Sequence, residues 1–302
     1  MQLEHAIVLV TGAAGFLGSS ISERLLADPS VEEVVGLDAF LDYYPRDRKE
    51  ANLAPLRADR RFRFVEANLL DADLPALLGA VDGVFHQAAQ AGVRASWGAS
   101  FAIYTDCNIL ATQRLLEACR AARTRVVYAS SSSIYGETRK IPMHEDDLPQ
   151  PVSPYGVSKL AAEHLCVLYT KNFGVPTVSL RYFTVYGPRQ RPDMAFHKFI
   201  RAAIEGRPIE IYGDGEQTRD FTFVSDAVDA NLAAMERGRP GAVYNIGGGS
   251  RVSVNEVLAT LGELLGRPLD IRNMARAQGD VTHTYADTTR ARGEIGFAPR
   301  VA

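Results

Sequence analysis

The sequence predicts an α/β protein with a doubly wound parallel sheet and a smaller C-terminal α/β domain. Up to Arg181, short apolar runs rich in β-branched residues alternate with helical patterns. Such continuous apolar runs are typical of parallel strands that helices cover on both faces. The strands are predicted at residues 7–10, 34–37, 63–66, 84–86, 126–129 and 177–181, and the helices at residues 17–27, 74–78, 107–121 and 155–172.

The composition is that of an ordinary globular protein. With 302 residues, 46% of them hydrophobic and 23% charged, the chain can bury a large core. The net charge of −3 gives no basic surface of the kind that nucleic acids need. No apolar run is long enough to span a membrane, and the run at residues 6–10 is too short for the core of a signal peptide.

The cysteines and histidines do not form metal-site patterns. Cys107, Cys119 and Cys166 lie in helical patterns without CxxC spacing, and we expect them to be small buried hydrophobic residues. Free thiols fit a cytoplasmic location. The six histidines are scattered without ligand-like pairing, so no metal is expected.

The composition of the chain changes after Arg181. Glycine and proline become frequent, and charged turns separate shorter elements. This change predicts two domains, at residues 1–183 and 184–302, without a flexible linker between them.

The first strand leads directly into a glycine-rich loop. In this loop, TGAAGFLG at residues 11–18, Gly12, Gly15 and Gly18 have GxxGxxG spacing. Such glycines let a pyrophosphate approach the free N–H groups at the start of a helix. Asp38 ends the second strand about 20 residues later, where a carboxylate accepts both ribose hydroxyls of NAD and repels the extra phosphate of NADP. The pattern predicts a Rossmann-type NAD site, with Asn68, after the third strand, near the adenine.

A serine run and a tyrosine–lysine pair indicate redox chemistry on a hydroxyl group. The serines at residues 130–133 follow the strand at 126–129, and YGVSK begins a helix at Tyr155. Tyr155 and Lys159 are four residues apart, so they share one face of that helix. We expect the Lys159 ammonium to lower the pKa of the Tyr155 phenol, and a serine hydroxyl to bind the reacting oxygen. This is a general base suited to removing a hydroxyl proton during hydride transfer.

Longer segments extend these motifs over essentially the whole chain, from Val8 to about Gly296. They are TGAAGFLGS, FHQAAQAGVRASWG, YASSSSIYGE, PVSPYGVSKLAAEHL, RYFTVYGPRQRPDM, YGDGEQTRDFTFVSD and NIGGGSRVSVNEV. Through them the sequence resembles the extended short-chain dehydrogenase/reductases that epimerise, dehydrate or decarboxylate nucleotide sugars. The resemblance implies the catalytic residues Ser131, Tyr155 and Lys159. It implies an NAD site formed by Gly12, Gly15, Phe16, Leu17, Asp38, Asn68, Leu69, Ala88, Tyr155 and Lys159. It also implies a UDP-sugar site formed by Arg94, Ser132, Ser133, Thr184, Arg191, Arg219, Arg276 and Asp280.

The residues after Ser131 bear on the reaction. Relatives of this kind first oxidise the C4 hydroxyl of the sugar to a ketone, with hydride passing to NAD+. The 4,6-dehydratases carry an Asp-Glu pair after the catalytic serine or threonine, and decarboxylating relatives usually keep a glutamate there. Here Ser132 and Ser133 cannot act as general acid and base near neutral pH. The resemblance therefore implies epimerisation at C4, with NAD regenerated in each turnover.

The second domain opens with RYFTVYGPRQRPDM, which most resembles UDP-glucuronate 4-epimerases. Thr184 stands where many neutral-sugar epimerases have asparagine. Arg189 and Arg191 follow a Gly-Pro turn, and an arginine fork suits the C5 carboxylate of a uronate. The same arginines would also suit a diphosphate or the capping of their own loop.

Three alternative functions stay open at this point. They are a 4-epimerase of UDP-glucose or UDP-N-acetylglucosamine, a nucleotide-sugar dehydratase or decarboxylase, and a non-catalytic NAD-binding regulatory protein. Proteins of the last kind commonly lose the tyrosine or the lysine, whereas this chain has both.

The predicted helices at 107–121 and 155–172 carry apolar residues on more than one face: Leu110, Leu115, Leu116, Leu160, Leu165 and Leu168. One sheet face does not require so many. We expect these helices to pair with their copies in a homodimer. Relatives of this kind usually continue into one more helix after the segment at residues 297–302.

Overall fold

A computed structural model describes residues 1–138 and 140–301. The strands, in chain order, are β1 (Ile7–Thr11), β2 (Glu33–Asp38), β3 (Phe62–Glu66), β4 (Gly83–His86), β5 (Arg125–Ser131), β6 (Thr177–Tyr182), β7 (Thr184–Tyr186), β8 (Ile209–Tyr212), β9 (Thr218–Phe223), β10 (Val243–Ile246), β11 (Arg251–Ser253) and β12 (Ile271–Met274). The α-helices are α1 (Phe16–Leu26), α2 (Arg46–Arg57), α3 (Leu74–Leu78), α4 (Phe101–Tyr104), α5 (Ala111–Cys119), α6 (Pro154–Phe173), α7 (Ala195–Ile204), α8 (Val224–Arg237), α9 (Val254–Leu265) and α10 (Thr289–Ile295).

A seven-stranded parallel sheet forms the centre of the molecule, in the order β10-β6-β5-β4-β1-β2-β3. Its inner strands are almost entirely buried, as β-branched runs covered on both faces must be. The strand order reverses between β1 and β4, and ligands of such sheets bind in the crevice at this point. The predicted doubly wound α/β fold is confirmed, and each predicted strand lies within an observed one.

The helices agree less closely with the sequence pattern. Helices α1, α3 and α6 confirm three predictions to within a residue or two. The predicted helix at 107–121 is wrong at its start, because a π-helical segment, Thr105–Leu110, precedes α5. Helix α2 was missed because only Lys49, Leu53 and Leu56 are buried on it, too few to give an apolar periodicity.

The chain returns to the central sheet after Thr184. Strand β10 pairs with β6, and α8 packs against α1 on one face of the sheet. Helix α10 packs against α8 and β10, and the other C-terminal elements form a smaller lobe with a three-stranded sheet (β11-β9-β7) and a two-stranded sheet (β12-β8). The predicted boundary at residue 183 stays a proposal, although β10 and α8, which follow it along the chain, pack with the central sheet of the first domain.

Two further findings concern the described residues. All three cysteines are free thiols, with Cys119 and Cys166 buried and Cys107 partly buried. Within residues 1–138 and 140–301, no helix has the length and hydrophobicity needed to cross a lipid bilayer.

Candidate active site

A groove runs along the carboxyl ends of β1, β2 and β4–β6. The glycine-rich loop forms one wall of it through Gly12, Gly15, Phe16 and Leu17. A side chain at Gly18 is impossible, because its Cβ would lie 2.1 Å from the carbonyl oxygen of Gly12. The loop thus packs directly against the start of α1, whose first N–H groups have no acceptors within the helix. These donors suit a pyrophosphate, as predicted from the spacing.

Asp38 lies beside this loop at the end of β2. Its Oδ2 accepts a hydrogen bond from the backbone N–H of Ala14 at 3.2 Å, and its Oδ1 accepts one from Phe40 at 2.9 Å. These bonds fix the carboxylate at the edge of the groove. That is the place from which it would meet the ribose hydroxyls of NAD.

Asn68, Leu69 and Ala88 line the same groove. The side-chain oxygen of Asn68 accepts the backbone N–H of Leu70 at 3.0 Å, which leaves its NH₂ group to donate to an adenine edge. The N–H of Ala88 donates to the Thr11 hydroxyl at 3.2 Å. The predicted NAD residues are therefore brought together along one wall of the groove.

Tyr155 lies at the far end of the groove on the first turn of α6, near Ser131 at the end of β5. Burial raises the pKa of the Tyr155 phenol above its usual value, although hydrogen bonding to Ser131 and the positive charge of Arg191 act to lower it. The expectation that Lys159 lowers the pKa of Tyr155 was therefore wrong in direction as well as in cause. The groups that oppose the effect of burial are Ser131 and Arg191, rather than Lys159.

Lys159 is buried one helical turn after Tyr155, with its Nζ 4.5 Å from the centre of the Tyr128 ring. Burial lowers the pKa of this ammonium to about 7, and the nearby Glu163 carboxylate offsets only part of this effect. Lys159 lines the groove, where its amine would meet the hydroxyl groups of a nicotinamide ribose.

Arg191 also lines the groove, on the segment between β7 and α7. Its Nε and Nη2 donate to the two carboxylate oxygens of Asp193 at 2.9 and 3.0 Å. Arg189 instead forms an ion pair with Glu23 of α1 at 2.8 Å and does not line the groove. Of the two arginines predicted to reach the sugar, only Arg191 lines this groove, and its role towards the sugar stays a prediction.

A cluster of arginines lies between the two lobes. Arg94 donates to Asp280 at 2.6 Å, and its guanidinium lies 3.9 Å from the centre of the Tyr212 ring. Arg276 donates to the Thr282 hydroxyl at 2.8 Å. The Arg219 side chain donates to the backbone carbonyls of Thr218, Val281 and Thr282. Asp280, Arg94 and Arg276 all act electrostatically on Arg219, so these four residues of the predicted UDP-sugar site lie in one neighbourhood.

The remaining predicted substrate residues are Ser132, Ser133 and Thr184. Ser132 and Ser133 form a short 3₁₀ turn directly after Ser131, whose hydroxyl accepts the N–H of Ser133 at 3.1 Å. Thr184 begins β7 and is partly buried. In the described part of the chain no hydrogen bond joins Thr184 to Arg191, so their joint role stays a prediction.

The structure adds polar residues that the sequence did not indicate. Glu137 accepts the backbone N–H of Thr282 and the side chain of Arg276, and Tyr212 covers Arg94. Asp193 and Tyr43 surround Arg191. Of these residues, only Asp193 could have been found from the sequence, because it follows Arg191 by two residues. The others come from distant segments of the chain.

The family model of the NAD dependent epimerase/dehydratase family matches residues 8–247. The chain belongs to this family. NAD is the cofactor, in keeping with the family and with similar structures that contain it.

Several members of the family are similar over nearly their full length. An uncharacterized UDP-glucose epimerase, YtcB, of Bacillus subtilis is 46% identical over 97% of this chain and 92% of its own. The UDP-glucuronate 4-epimerase of Thermodesulfobacterium geofontis is 35% identical, with 97% of this chain and 91% of its own covered. The crystal structure of the UDP-glucuronic acid 4-epimerase of Bacillus cereus, in complex with UDP-glucuronic acid and NAD, superposes with a TM-score of 0.95 at 43% identity, covering 98% of this chain and 95% of that one.

Proposed function

We propose that this enzyme interconverts UDP-glucuronate and UDP-galacturonate by oxidising and re-reducing C4 of the sugar. The observation that carries the proposal is the position of Arg191, a cation on the wall of the groove that acts electrostatically on Tyr155. A uronate carries its carboxylate one carbon from the reacting C4. A cation beside the catalytic tyrosine is therefore suited to this substrate class.

Tyr155 serves as the general base for the C4 hydroxyl, and Ser131 hydrogen-bonds the same oxygen. NAD+, when bound, supplies the acceptor for the hydride of C4 and the donor that returns it to the other face. The Lys159 amine would bind the ribose hydroxyls of the cofactor and so hold the nicotinamide close to Tyr155. The Arg94, Arg219 and Arg276 cluster binds the diphosphate, so that the sugar can turn about a fixed anchor.

The C5 carboxylate of the substrate must be held in a fixed orientation, because a 4-keto uronate is a β-keto acid and loses CO₂ readily. Decarboxylation requires the breaking C–C bond to align with the π system of the ketone. A cation that keeps the carboxylate near the plane of the ring prevents this alignment. Ser132 and Ser133 offer no carboxylic acid to protonate the enolate that would result.

A product assay tests the proposal directly. Purified enzyme is given UDP-glucuronate, UDP-glucose and UDP-N-acetylglucosamine separately, and the products are separated by chromatography. We expect conversion of UDP-glucuronate to UDP-galacturonate without net formation of NADH. Arg191→Ala should lower turnover of UDP-glucuronate by roughly one to two orders of magnitude, since a charge-assisted hydrogen bond is lost. Release of a 4-keto pentose by this variant would support the same role of Arg191. Efficient turnover of UDP-glucose with none of UDP-glucuronate would reject the proposal.

A UDP-glucose 4-epimerase is the second candidate, because the 46% identical Bacillus subtilis relative carries that name. In that case Arg191 would serve its own loop through Asp193, and Arg191→Ala would affect UDP-glucose turnover only through folding. The same assay separates the two candidates.

We further propose a cytoplasmic homodimer. The free thiols fit a reducing compartment. Of the leucines predicted to face a second subunit, Leu110 and Leu168 are 41% and 50% exposed, whereas Leu115 and Leu116 are in the core. Val157 and Phe173 add to the exposed apolar surface of α6. An apolar face of this kind supports an isologous contact.

A further inference from the structure

Tyr43, Asp193 and Arg191 form a chain of polar contacts across the groove. Tyr43 belongs to the segment after β2, and the other two residues belong to the segment between β7 and α7. The Tyr43 hydroxyl donates to Asp193 Oδ2 at 3.0 Å. Arg191 donates to both oxygens of the same carboxylate, and its guanidinium lies 5.8 Å from the centre of the Tyr43 ring.

The paired hydrogen bonds fix the plane of the guanidinium group. Two parallel N–H donors to one carboxylate restrict rotation of an arginine far more than a single contact does. Nε and Nη2 are occupied by Asp193, while Nη1 makes no hydrogen bond to any residue within 1–138 and 140–301. This end of Arg191 is therefore available to a ligand in the groove.

The position of Tyr43 is itself closely restricted. Gly92 has a φ of +105°, and a Cβ there would lie 2.4 Å from the Tyr43 hydroxyl oxygen. The Tyr104 hydroxyl donates to the Gly92 carbonyl at 2.8 Å and holds this segment in place. A larger residue at 92 would displace Tyr43 from Asp193.

The protonation states match this arrangement. Burial raises the pKa of Asp193, but the hydrogen bonds and charge of Arg191, and the hydrogen bond of Tyr43, bring it below its usual range. Burial and the neighbouring Asp193 charge raise the pKa of Tyr43. Asp193 thus stays an ionised acceptor and Tyr43 stays a donor over the physiological pH range.

We propose that Asp193 and Tyr43 are positioning residues that hold Arg191 in the orientation needed to bind the C5 carboxylate of the substrate. The inference rests on the proposed function, since it concerns how the enzyme selects a substrate that carries a C5 carboxylate. Asp193 carries the same charge as the substrate carboxylate, so simple electrostatics predicts that removing it would improve binding. Positioning predicts the opposite, because an arginine without its partner must be ordered by the substrate itself.

A double-mutant cycle in the full-length, NAD-loaded enzyme tests the inference. Asp193→Asn should raise KM for UDP-glucuronate roughly tenfold or more, with a smaller change in kcat, because a charge-assisted contact is lost. Tyr43→Phe should raise KM in the same direction by a smaller factor. In an Arg191→Gln background neither substitution should have a further effect, since both act through Arg191. Glu23→Gln is the matched control. It removes the carboxylate that pairs with Arg189, which lies in the same segment as Arg191, and it should leave KM unchanged.

Three outcomes overturn the inference. An unchanged or lower KM in Asp193→Asn shows that Asp193 does not orient Arg191. Equal losses with and without Arg191 show a purely structural role. If the wild-type enzyme does not turn over UDP-glucuronate, both the proposed function and this inference are rejected. If it does turn over UDP-glucuronate but the losses are additive, only the inference is rejected. If Asp193→Asn does not fold, Tyr43→Phe removes a single hydroxyl and completes the same cycle with Arg191→Gln.

Discussion

Arg181 of β6 and Glu163 of α6 form an ion pair 2.7 Å long, with side chains only 5% and 3% exposed. Glu163 lies one helical turn after Lys159, and its Oε2 also accepts the Ser130 hydroxyl at 2.5 Å. Arg181 donates in addition to the Tyr135 hydroxyl at 2.7 Å. The pair therefore fastens the helix that carries the catalytic residues to the two strands beneath it.

Breaking this pair from one side should be costly. Glu163→Gln leaves the Arg181 charge buried without a counter-charge, and we expect the free energy of unfolding to fall by about 3–5 kcal/mol. Urea denaturation followed by circular dichroism measures the change. Glu205→Gln, which breaks the exposed pair with Arg201, is the control and should change stability little. A loss below about 1 kcal/mol in Glu163→Gln would show that the network satisfies Arg181 by other means.

Ser131 should control the pH dependence of the reaction. Hydrogen bonding to Ser131 lowers the pKa of Tyr155, so Ser131→Ala should raise it and move the acidic limb of kcat/KM to higher pH. Tyr155→Phe should lower turnover by about 10²-fold or more, because the base is lost. Both are measured as pH–rate profiles with the NAD-loaded enzyme. An acidic limb that stays in place in Ser131→Ala would mean that another group sets it.

His86 should make the protein less stable at mildly acidic pH. Both of its ring nitrogens contact threonine hydroxyls, Thr11 at 2.8 Å and Thr112 at 2.9 Å, and burial lowers its pKa from 6.5 to about 3. Below pH 6.5 the imidazole binds a proton in the unfolded chain but stays neutral in the folded protein. The free energy of unfolding therefore falls as the pH decreases from 6.5 towards 3.

Between pH 6.5 and 5 the expected loss from His86 is about 2 kcal/mol. His86→Gln should flatten the dependence of the unfolding free energy on pH in this window, whereas His5→Gln, at an exposed position, should keep it. Urea titrations at half-unit pH intervals provide the measurement. The same slope in His86→Gln and the wild type would assign the effect to other groups.

Asp38 should determine the choice of cofactor. Its carboxylate lies on the groove, and if it accepts the ribose hydroxyls as proposed, cofactor-stripped protein should bind NAD+ more tightly than NADP+. Asp38→Asn should reduce this preference by removing the repulsion of a 2′-phosphate. Isothermal titration with both cofactors measures the ratio. Tighter binding of NADP+ by the wild type would refute the role of Asp38.

The exposed face of α6 should mediate dimerisation. Leu168→Asp together with Val157→Asp places charges on this face and should convert a dimer to monomers, as measured by light scattering at micromolar concentration. Leu264→Asp, at an exposed leucine of α9, is the control and should leave the dimer intact. A wild-type protein that is monomeric would reject the homodimer.

The sequence predicted those parts of the site whose geometry is local. The glycine loop and the Tyr155–Lys159 pair follow from spacing along one strand–helix unit and one helix face, and the structure places both on the groove. Contacts such as Tyr43–Asp193 join residues 150 positions apart, and no periodicity reports them. The electrostatics of Tyr155 also depended on burial and on Arg191, which only the tertiary structure reveals.

The return of β10 to the central sheet constrains the order in which the chain acquires its shape. Until residues 243–246 leave the ribosome, β6 has no neighbour on one side, although every one of its residues is buried in the finished protein. Such an edge is a template for pairing with other chains. A fragment ending at residue 183 would keep the cofactor loop and the catalytic helix yet aggregate through β6. Nascent chains of intermediate length carry the same liability, so efficient biogenesis requires that this edge be shielded during synthesis.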